Sequence, residues 1–282
     1  MEIAYTVADA KRITRAWKRE GKTIGLVPTM GYLHEGHASL IKRARQENDR
    51  VVVSVFLNPT QFAPTEDLDR YPRDFDHDCK LCEEMGADLV FHPEPSEMYH
   101  DPHAYVNIDL LSATMDGAAR PIHFRGVCTV VSKLFNIMQP DNAYFGQKDA
   151  QQLAIVKKFV EDLNFDVKVN GCPIVREPDG LAKSSRNTYL SPEERAAAPV
   201  LYRAVKHGQE IIQPGMKSAD LEAAMKAVLA EEPLADTEYV TAVDALTMQP
   251  VETIDRDVLV AMAVRIGKTR LIDNFSYQLP QA

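Results

Sequence analysis

Short apolar runs alternate with amphipathic stretches through about the first 170 residues, and that alternation constrains the fold more than anything else in the chain. The strand-like runs are 24–27, Val51–Phe56, Asp88–Phe91, Ala143–Phe145 and Phe165–Val169. Between them, Val127, Val130, Val131, Leu134, Ile137 and Met138 recur at helical spacing, which predicts a helix over 126–138 stopped by Pro140. Leu153, Val156, Phe159, Val160 and Leu163 predict a second over 149–163. Strands that alternate with helices form a parallel sheet covered on both faces, and such sheets bind ligands at the carboxyl ends of their strands. The expected class is α/β, a doubly wound parallel sheet with a smaller C-terminal α+β domain.

The character changes near 172–192, where Pro173, Pro178 and Gly180 interrupt the pattern. Ser191-Pro192-Glu193-Glu194 reads as an N-cap, a proline at the first helical position and a glutamate placed to close a capping box. Helical patterns follow near 192–213 and 218–230, then strand-like runs near 238–246 and 257–266. The expected domains are 1–174 and 175–282.

A formal charge of −9 argues against a non-specific nucleic-acid binder, which would show a basic footprint. No apolar run approaches the roughly 20 residues of a membrane helix. Met1-Glu2-Ile3-Ala4-Tyr5 does not open a signal-peptide apolar region, so a cytoplasmic location is the expectation. Cys79 and Cys82 have Cys-x-x-Cys spacing, but no second pair matches it. Both fall on one face of an expected helix over about 73–85 with Phe75 and Met85, and they read as structural thiols with no protein-built metal site.

The most informative ten residues are Pro28-Thr-Met-Gly-Tyr-Leu-His-Glu-Gly-His37. They follow the apolar run Ile24-Gly25-Leu26-Val27 and lead into a helical pattern from about Ala38 to Glu47. A strand thus ends in a glycine-containing turn that opens a helix, where N–H groups and a partial positive charge gather phosphates. Imidazoles at that turn add hydrogen-bond donors. Gly31 and Gly36 have Walker A spacing, but His37 stands in place of the lysine and Ala38 in place of the hydroxyl. His34 and His37 are three apart rather than four, which excludes the zinc-protease pattern. His34-Glu-Gly-His37 resembles the His-x-Gly-His signature of nucleotidyltransferases that act at the α-phosphate of ATP; the plainer alternative is a strand–turn–helix with two incidental surface histidines.

Three further segments carry polar chemistry. Asn58-Pro59-Thr60-Gln61-Phe62 follows the second strand and offers two amides, suited to hydroxyls or a carboxylate. Gly146-Gln147-Lys148-Asp149-Ala150-Gln151-Gln152 follows a strand ending in Tyr144-Phe145, and Lys148 is a cation suited to phosphate. Lys183-Ser184-Ser185-Arg186-Asn187 puts two hydroxyls between two cations on a loop at the domain boundary, the makings of an anion clamp on a mobile lid.

With His123-Phe-Arg-Gly-Val127, Tyr71-Pro72-Arg73 and Arg270-Leu-Ile-Asp-Asn274, these segments resemble the pantoate–β-alanine ligase family of the His-x-Gly-His superfamily over nearly the whole chain. The resemblance implies a Rossmann-like nucleotide- and pantoate-binding domain and a C-terminal lid domain. It implies an AMP-forming ligase of pantothenate biosynthesis, supplying a coenzyme A precursor through a pantoyl-adenylate intermediate, with Mg2+ accompanying ATP, and a homodimer. It assigns Met30, Gly31, Tyr32, Leu33, His34, Glu35, Gly36, His37, Gly146, Gln147, Lys148, Asp149, Val175, Lys183, Ser184, Ser185 and Arg186 to ATP. Among these, His37, His34, Lys148 and Arg186 carry the catalytic role. Gln61, Gln152 and Asn58 fall to the small substrates. Glu35 stands where aspartate is frequent in the family, and Lys183 where an apolar residue is common. Another transferase of the superfamily would need a cationic acceptor pocket in place of the amides, and a silent nucleotide sensor would be expected to lack one of the histidines, Lys148 or Arg186.

Overall fold

The computed structural model describes residues 1–280. The chain forms two compact units. The first comprises 1–108, 120–147 and 155–173; the second comprises 109–119, 148–154 and the chain from 174 onward. The segments 109–119 and 148–154 thus group with the chain from 174 onward.

The first unit is built on β1 (Glu2–Ala4), β2 (Ile24–Thr29), β3 (Arg50–Val55), β4 (Leu89–Phe91), β5 (Asn142–Gly146) and β6 (Lys168–Cys172). Their order is β1-β4-β3-β2-β5-β6, with every pair parallel. The connecting helices are α1 (Val7–Arg19), α2 (Glu35–Glu47), α3 (Phe75–Glu84), α4 (Pro95–Met98), then α5 (Met115–Ala119) of the second unit, α6 (His123–Met138) and α7 (Ala150–Asp162). Central strands covered on both faces read as continuous apolar runs, and Val51, Val52 and Val53 of β3 are fully buried. After β2 the chain adds strands to one side, and β5 then starts the other side, so the switch in direction falls between β2 and β5. Ligands bind open α/β sheets at that point.

Two details differ from the sequence reading for clear reasons. Phe165 belongs to the turn before β6: Asn164 has φ +53, ending α7 in the left-handed conformation asparagine tolerates. Phe165 owes its apolar character to an aromatic cluster with Phe135 and Phe159, with centroids 5.6 and 5.9 Å away. The single helix expected over 192–213 is two, α8 (Pro192–Ala197) and α9 (Val200–Ile211), because Pro199 cannot donate within a helix.

The second unit packs α9 and α10 (Ser218–Leu229) on an antiparallel sheet of β7 (Ala235–Asp244), β8 (Val258–Ile266) and β9 (Thr269–Tyr277). Central β8 is buried along its length except at Arg265. A two-residue turn, Gly267-Lys268, joins β8 to β9, and Gly267 takes φ +58 there. The Ser191 capping box forms as the sequence implies: Ser191 Oγ accepts from the Glu194 N–H at 3.2 Å, and the Glu194 carboxylate accepts from the Ser191 N–H at 2.8 Å. Among the described residues no helix is long and apolar enough to cross a membrane.

Candidate active site

The 28–37 turn leaves the end of β2 beside the switch point and opens α2. Both histidines work at the helix start. His34 is the N-cap, and its Nδ1 accepts the Gly36 N–H at 3.1 Å. His37 is the third helical residue, and its Nδ1 accepts the His34 N–H at 3.2 Å. The two imidazoles thus stand where Ser/Thr and Glu/Gln stand in an ordinary capping box. Their rings lie 4.1 Å apart. Since each Nδ1 accepts, the neutral ring carries its proton on Nε2, and the tautomer of both histidines is fixed as a donor at that nitrogen.

The turn is held from behind by α3. Asp78 is buried; its Oδ2 accepts the Tyr32 N–H at 2.8 Å and its Oδ1 the Leu33 N–H at 2.6 Å. His77 donates from Nε2 to the Leu33 carbonyl at 3.2 Å. The clamp sustains a backbone that Tyr32 alone would avoid, at φ +53, beside Gly31, which takes φ +89 freely. Burial raises the Asp78 carboxyl above its ordinary value, opposed by the Leu33 and Tyr32 N–H groups. Thr29 Oγ1 accepts the Gly31 N–H at 3.2 Å, completing the support.

The segment after β3 holds Gln61. Asn58 is buried and spends its amide internally: Nδ2 donates to Gln61 Oε1 at 2.9 Å and to the Gly126 carbonyl at 3.2 Å, and Oδ1 accepts from Tyr99 Oη at 2.7 Å. Asn58 therefore holds the Gln61 side chain in place. The Gln61 carbonyl accepts from His123 Nδ1 at 3.1 Å. Gly126 of α6 presses against the same segment, so that a Cβ there would lie 2.6 Å from the Gln61 backbone nitrogen. Gln61 Nε2 itself meets the Met30 sulfur at 3.2 Å, a weak acceptor that an oxygen would outbid. Gly146 ends β5 next to β2, followed by exposed Gln147.

The second unit carries the other sequence-predicted groups. Lys148 and exposed Asp149 form one short turn, with the ammonium 3.8 Å from the carboxylate. Gln152 follows buried Gln151, whose Nε2 donates to the Leu111 and Thr114 carbonyls at 2.8 and 2.9 Å. Val175 and Lys183 face each other across a hairpin, the Lys183 N–H donating to the Val175 carbonyl at 2.9 Å. Its turn is Glu177-Pro178-Asp179-Gly180, closed by the Gly180 N–H to the Glu177 carbonyl at 2.9 Å, with Gly180 at φ +93. Lys183 pairs with Glu177 at 3.0 Å, which gives its ammonium a protein partner in the hairpin. Ser184 caps a short 3-10 helix, Ser185–Tyr189, that carries Arg186.

Cys82 is buried and its thiol is pushed up to about 12, so it is no thiolate at neutral pH. Among the described residues no group of three or more His, Cys, Asp or Glu gathers where it could hold a metal ion.

A parallel sheet whose switch point bears a His-x-Gly-His turn at a helix N-terminus is a Rossmann-like arrangement suited to holding phosphates. The model of the pantoate-beta-alanine ligase family matches residues 2–276, and the chain belongs to that family. The pantothenate synthetase of Ruminiclostridium cellulolyticum is 57% identical over 279 residues, covering 98% of this chain and 99% of that protein. The pantothenate synthetase of Thermus thermophilus is 47% identical in its crystal structure, with TM-score 0.91 over 98% of this chain and 99% of that one. A ligase from Francisella tularensis, solved as a complex with beta-gamma ATP and beta-alanine, is 34% identical with TM-score 0.81 over 98% and 97% of the two chains.

Sequence reasoning missed Asp78, which holds the Tyr32 and Leu33 N–H groups, Arg176, which pairs with Asp273 at 2.6 Å, and Asp116, which pairs with Arg270 at 2.6 Å; Asp273 stood in the quoted Arg270–Asn274 segment without a role. Each acts through backbone or ion-pair partners far away in the chain, and the acidic residues have no local pattern to mark them.

Proposed function

We propose that this enzyme condenses pantoate with β-alanine in two steps. A carboxylate oxygen of pantoate attacks the α-phosphorus of Mg·ATP, the bond from that phosphorus to the bridging oxygen breaks, and pyrophosphate leaves. The β-alanine amine then attacks the acyl carbon of pantoyl adenylate, a C–N bond forms, AMP departs and the amine sheds a proton. The observation that carries this reading is the paired use of His34 and His37, each committed through Nδ1 to the helix start and so set as an Nε2 donor. Donors fixed in advance stabilise charge that develops in the transition state more than charge already present in the ground state.

In this assignment Met30–His37, Gly146, Gln147, Lys148, Asp149, Val175 and Lys183–Arg186 serve the nucleotide. Lys148 and Arg186 supply charge to the phosphates, and no protein nucleophile is required, because pantoate provides one. Magnesium enters with ATP as part of the substrate, its coordination completed by phosphate and water. Gln61 and Gln152 take the oxygens of pantoate. The resemblance further supports a cytoplasmic homodimer.

The test is AMP formation from ATP. Release should require pantoate and β-alanine together, with pyrophosphate as co-product; ADP release, or turnover indifferent to β-alanine, would refute the assignment. Gln61→Ala and Gln152→Ala should each raise the KM for pantoate about tenfold or more while leaving ATP affinity within a factor of about two, since each loses a directional hydrogen bond to one substrate. Titration calorimetry showing the reverse pattern would mean the pockets are exchanged. Gly126→Ala should act on pantoate in the same direction. Its methyl group collides with the Gln61 backbone, so thermal unfolding should report about 1–3 kcal/mol of overpacking. An unchanged pantoate KM in that variant would show that the contact does not govern Gln61.

A further inference from the structure

We propose that two adjacent residues of β9, Asp273 and Asn274, are positioning residues that set both nucleotide loops of the second unit; this rests on assigning Lys148 and Lys183–Arg186 to ATP. Asn274 donates from Nδ2 to the backbone carbonyl of Lys148 at 2.9 Å. Asp273, only 1% exposed, takes Arg176 in a two-point ion pair, Oδ2 at 2.6 Å from Nη1 and Oδ1 at 2.9 Å from Nη2. Arg176 Nη1 also donates to the Gly180 carbonyl at 3.0 Å, and its guanidinium lies over Tyr202 of α9 at 4.5 Å. The 175–183 hairpin, which delivers Lys183 and the loop to Arg186, is thereby fixed to β9.

Successive side chains of a strand point to opposite faces. Asp273 and Asn274 therefore grip two different loops from the two sides of one strand, which is itself paired along its length with β8. The two grips are joined, because the Asn274 N–H donates to Asp273 Oδ1 at 2.8 Å. Stability alone does not explain the arrangement. A buried ion pair is often no more stabilising than apolar residues of the same volume, and its distinctive return is a fixed geometry. Here that geometry is the placement of a lysine turn and of a hairpin, relative to one another, within the unit that carries both. Groups that act on developing phosphate charge lose most of their effect when displaced by about 1 Å.

The decisive experiment is a pair of double-mutant cycles read by single-turnover pyrophosphate release, with KM for ATP and for β-alanine measured alongside. Asn274→Ala should slow adenylation about tenfold and raise the ATP KM while leaving the β-alanine KM unchanged. In a Lys148→Ala background the same substitution should cost less than about twofold, because the group it positions is gone. Arg176→Lys keeps the charge and loses the two-point fork; it should couple to Arg186→Ala in the same way, and it avoids leaving Asp273 buried without a cation. Strict additivity in both cycles, or equal rises in both KM values, would overturn the proposal and leave these residues a purely structural role. Wild-type enzyme that releases no AMP with pantoate and β-alanine would instead bring down the functional reading, and the positioning proposal with it.

Discussion

His34→Asn and His37→Gln are expected to slow pantoyl-adenylate formation about 100-fold each, on the order of 3 kcal/mol of transition-state stabilisation, while leaving the fold nearly as stable as before. Asparagine is among the best N-caps, and glutamine is a standard third residue of a capping box. These two substitutions therefore keep the helix-starting bonds that the imidazoles make through Nδ1, with the amide oxygen as acceptor, and replace the ring Nε2 donor by an amide NH2 held next to that oxygen, away from the Nε2 position. Alanine at either position confounds the two roles, because loss of the cap alone costs about 1 kcal/mol of stability. Rapid-quench measurement of the adenylate, with thermal unfolding as the control, separates them. Near-normal adenylation in both variants would mean that the histidines start a helix and do nothing to the phosphates.

The second large effect is expected at a residue that need not touch substrate. Asp78→Ala removes both acceptors from the Tyr32 and Leu33 N–H groups. Each orphaned buried donor costs about 1–3 kcal/mol, offset in part because a carboxylate no longer has to be buried. The net loss of stability should be about 2 kcal/mol on that account. The larger consequence is for the turn. Tyr32 sits at φ +53, a conformation that a bulky residue holds only when its surroundings insist. Released, it should relax toward the ordinary region and carry His34 with it, and a displacement of about 1 Å is enough for about a 100-fold loss of rate. Asp78→Asn keeps one acceptor and should fall between wild type and Asp78→Ala. Adenylation and ATP KM unchanged in Asp78→Ala would show that the turn holds itself.

Much of this arrangement was open to inspection in the residues. The apolar runs of β2, β3, β4 and β5 stood out because strands buried on both faces can accept almost nothing polar. The stripe of α6 and the Ser191 capping box were equally plain, since both are governed by neighbours within one or two helical turns. The elements that escaped were those whose identity depends on partners. β1 has three residues and is defined by pairing with β4. β9 mixes Arg270, Asp273 and Asn274 among its apolar residues, and its alternation makes sense only once those polar side chains have distant partners. Arg270, for example, pairs with Asp116 at 2.6 Å and with Glu238 at 2.7 Å.

The site divides along the same line. The sequence by itself determined which groups are available: His34 and His37 at a helix start, Gln61 after β3, Lys148 after β5, and Arg186 beyond a Pro-Asp-Gly turn. Chain-local rules suffice for that, because caps, turns and strand ends are set within a few residues. Only the tertiary structure decided how those groups are held. Asn58, which looks like a ligand, spends its amide on Gln61 and Gly126. Asp78, which looks like an ordinary helix residue, supports the His-x-Gly-His turn 45 residues away from it in sequence at Leu33. Asp109–Ala119 and Lys148–Ala154 belong with the C-terminal unit through pairs such as Arg270–Asp116 and Asn274–Lys148, more than 100 residues apart. Hydrogen bonds and ion pairs between distant elements, unlike caps and turns, have no preferred separation along the chain, so the partner each one finds is set by packing and leaves no periodic trace in the order of residues.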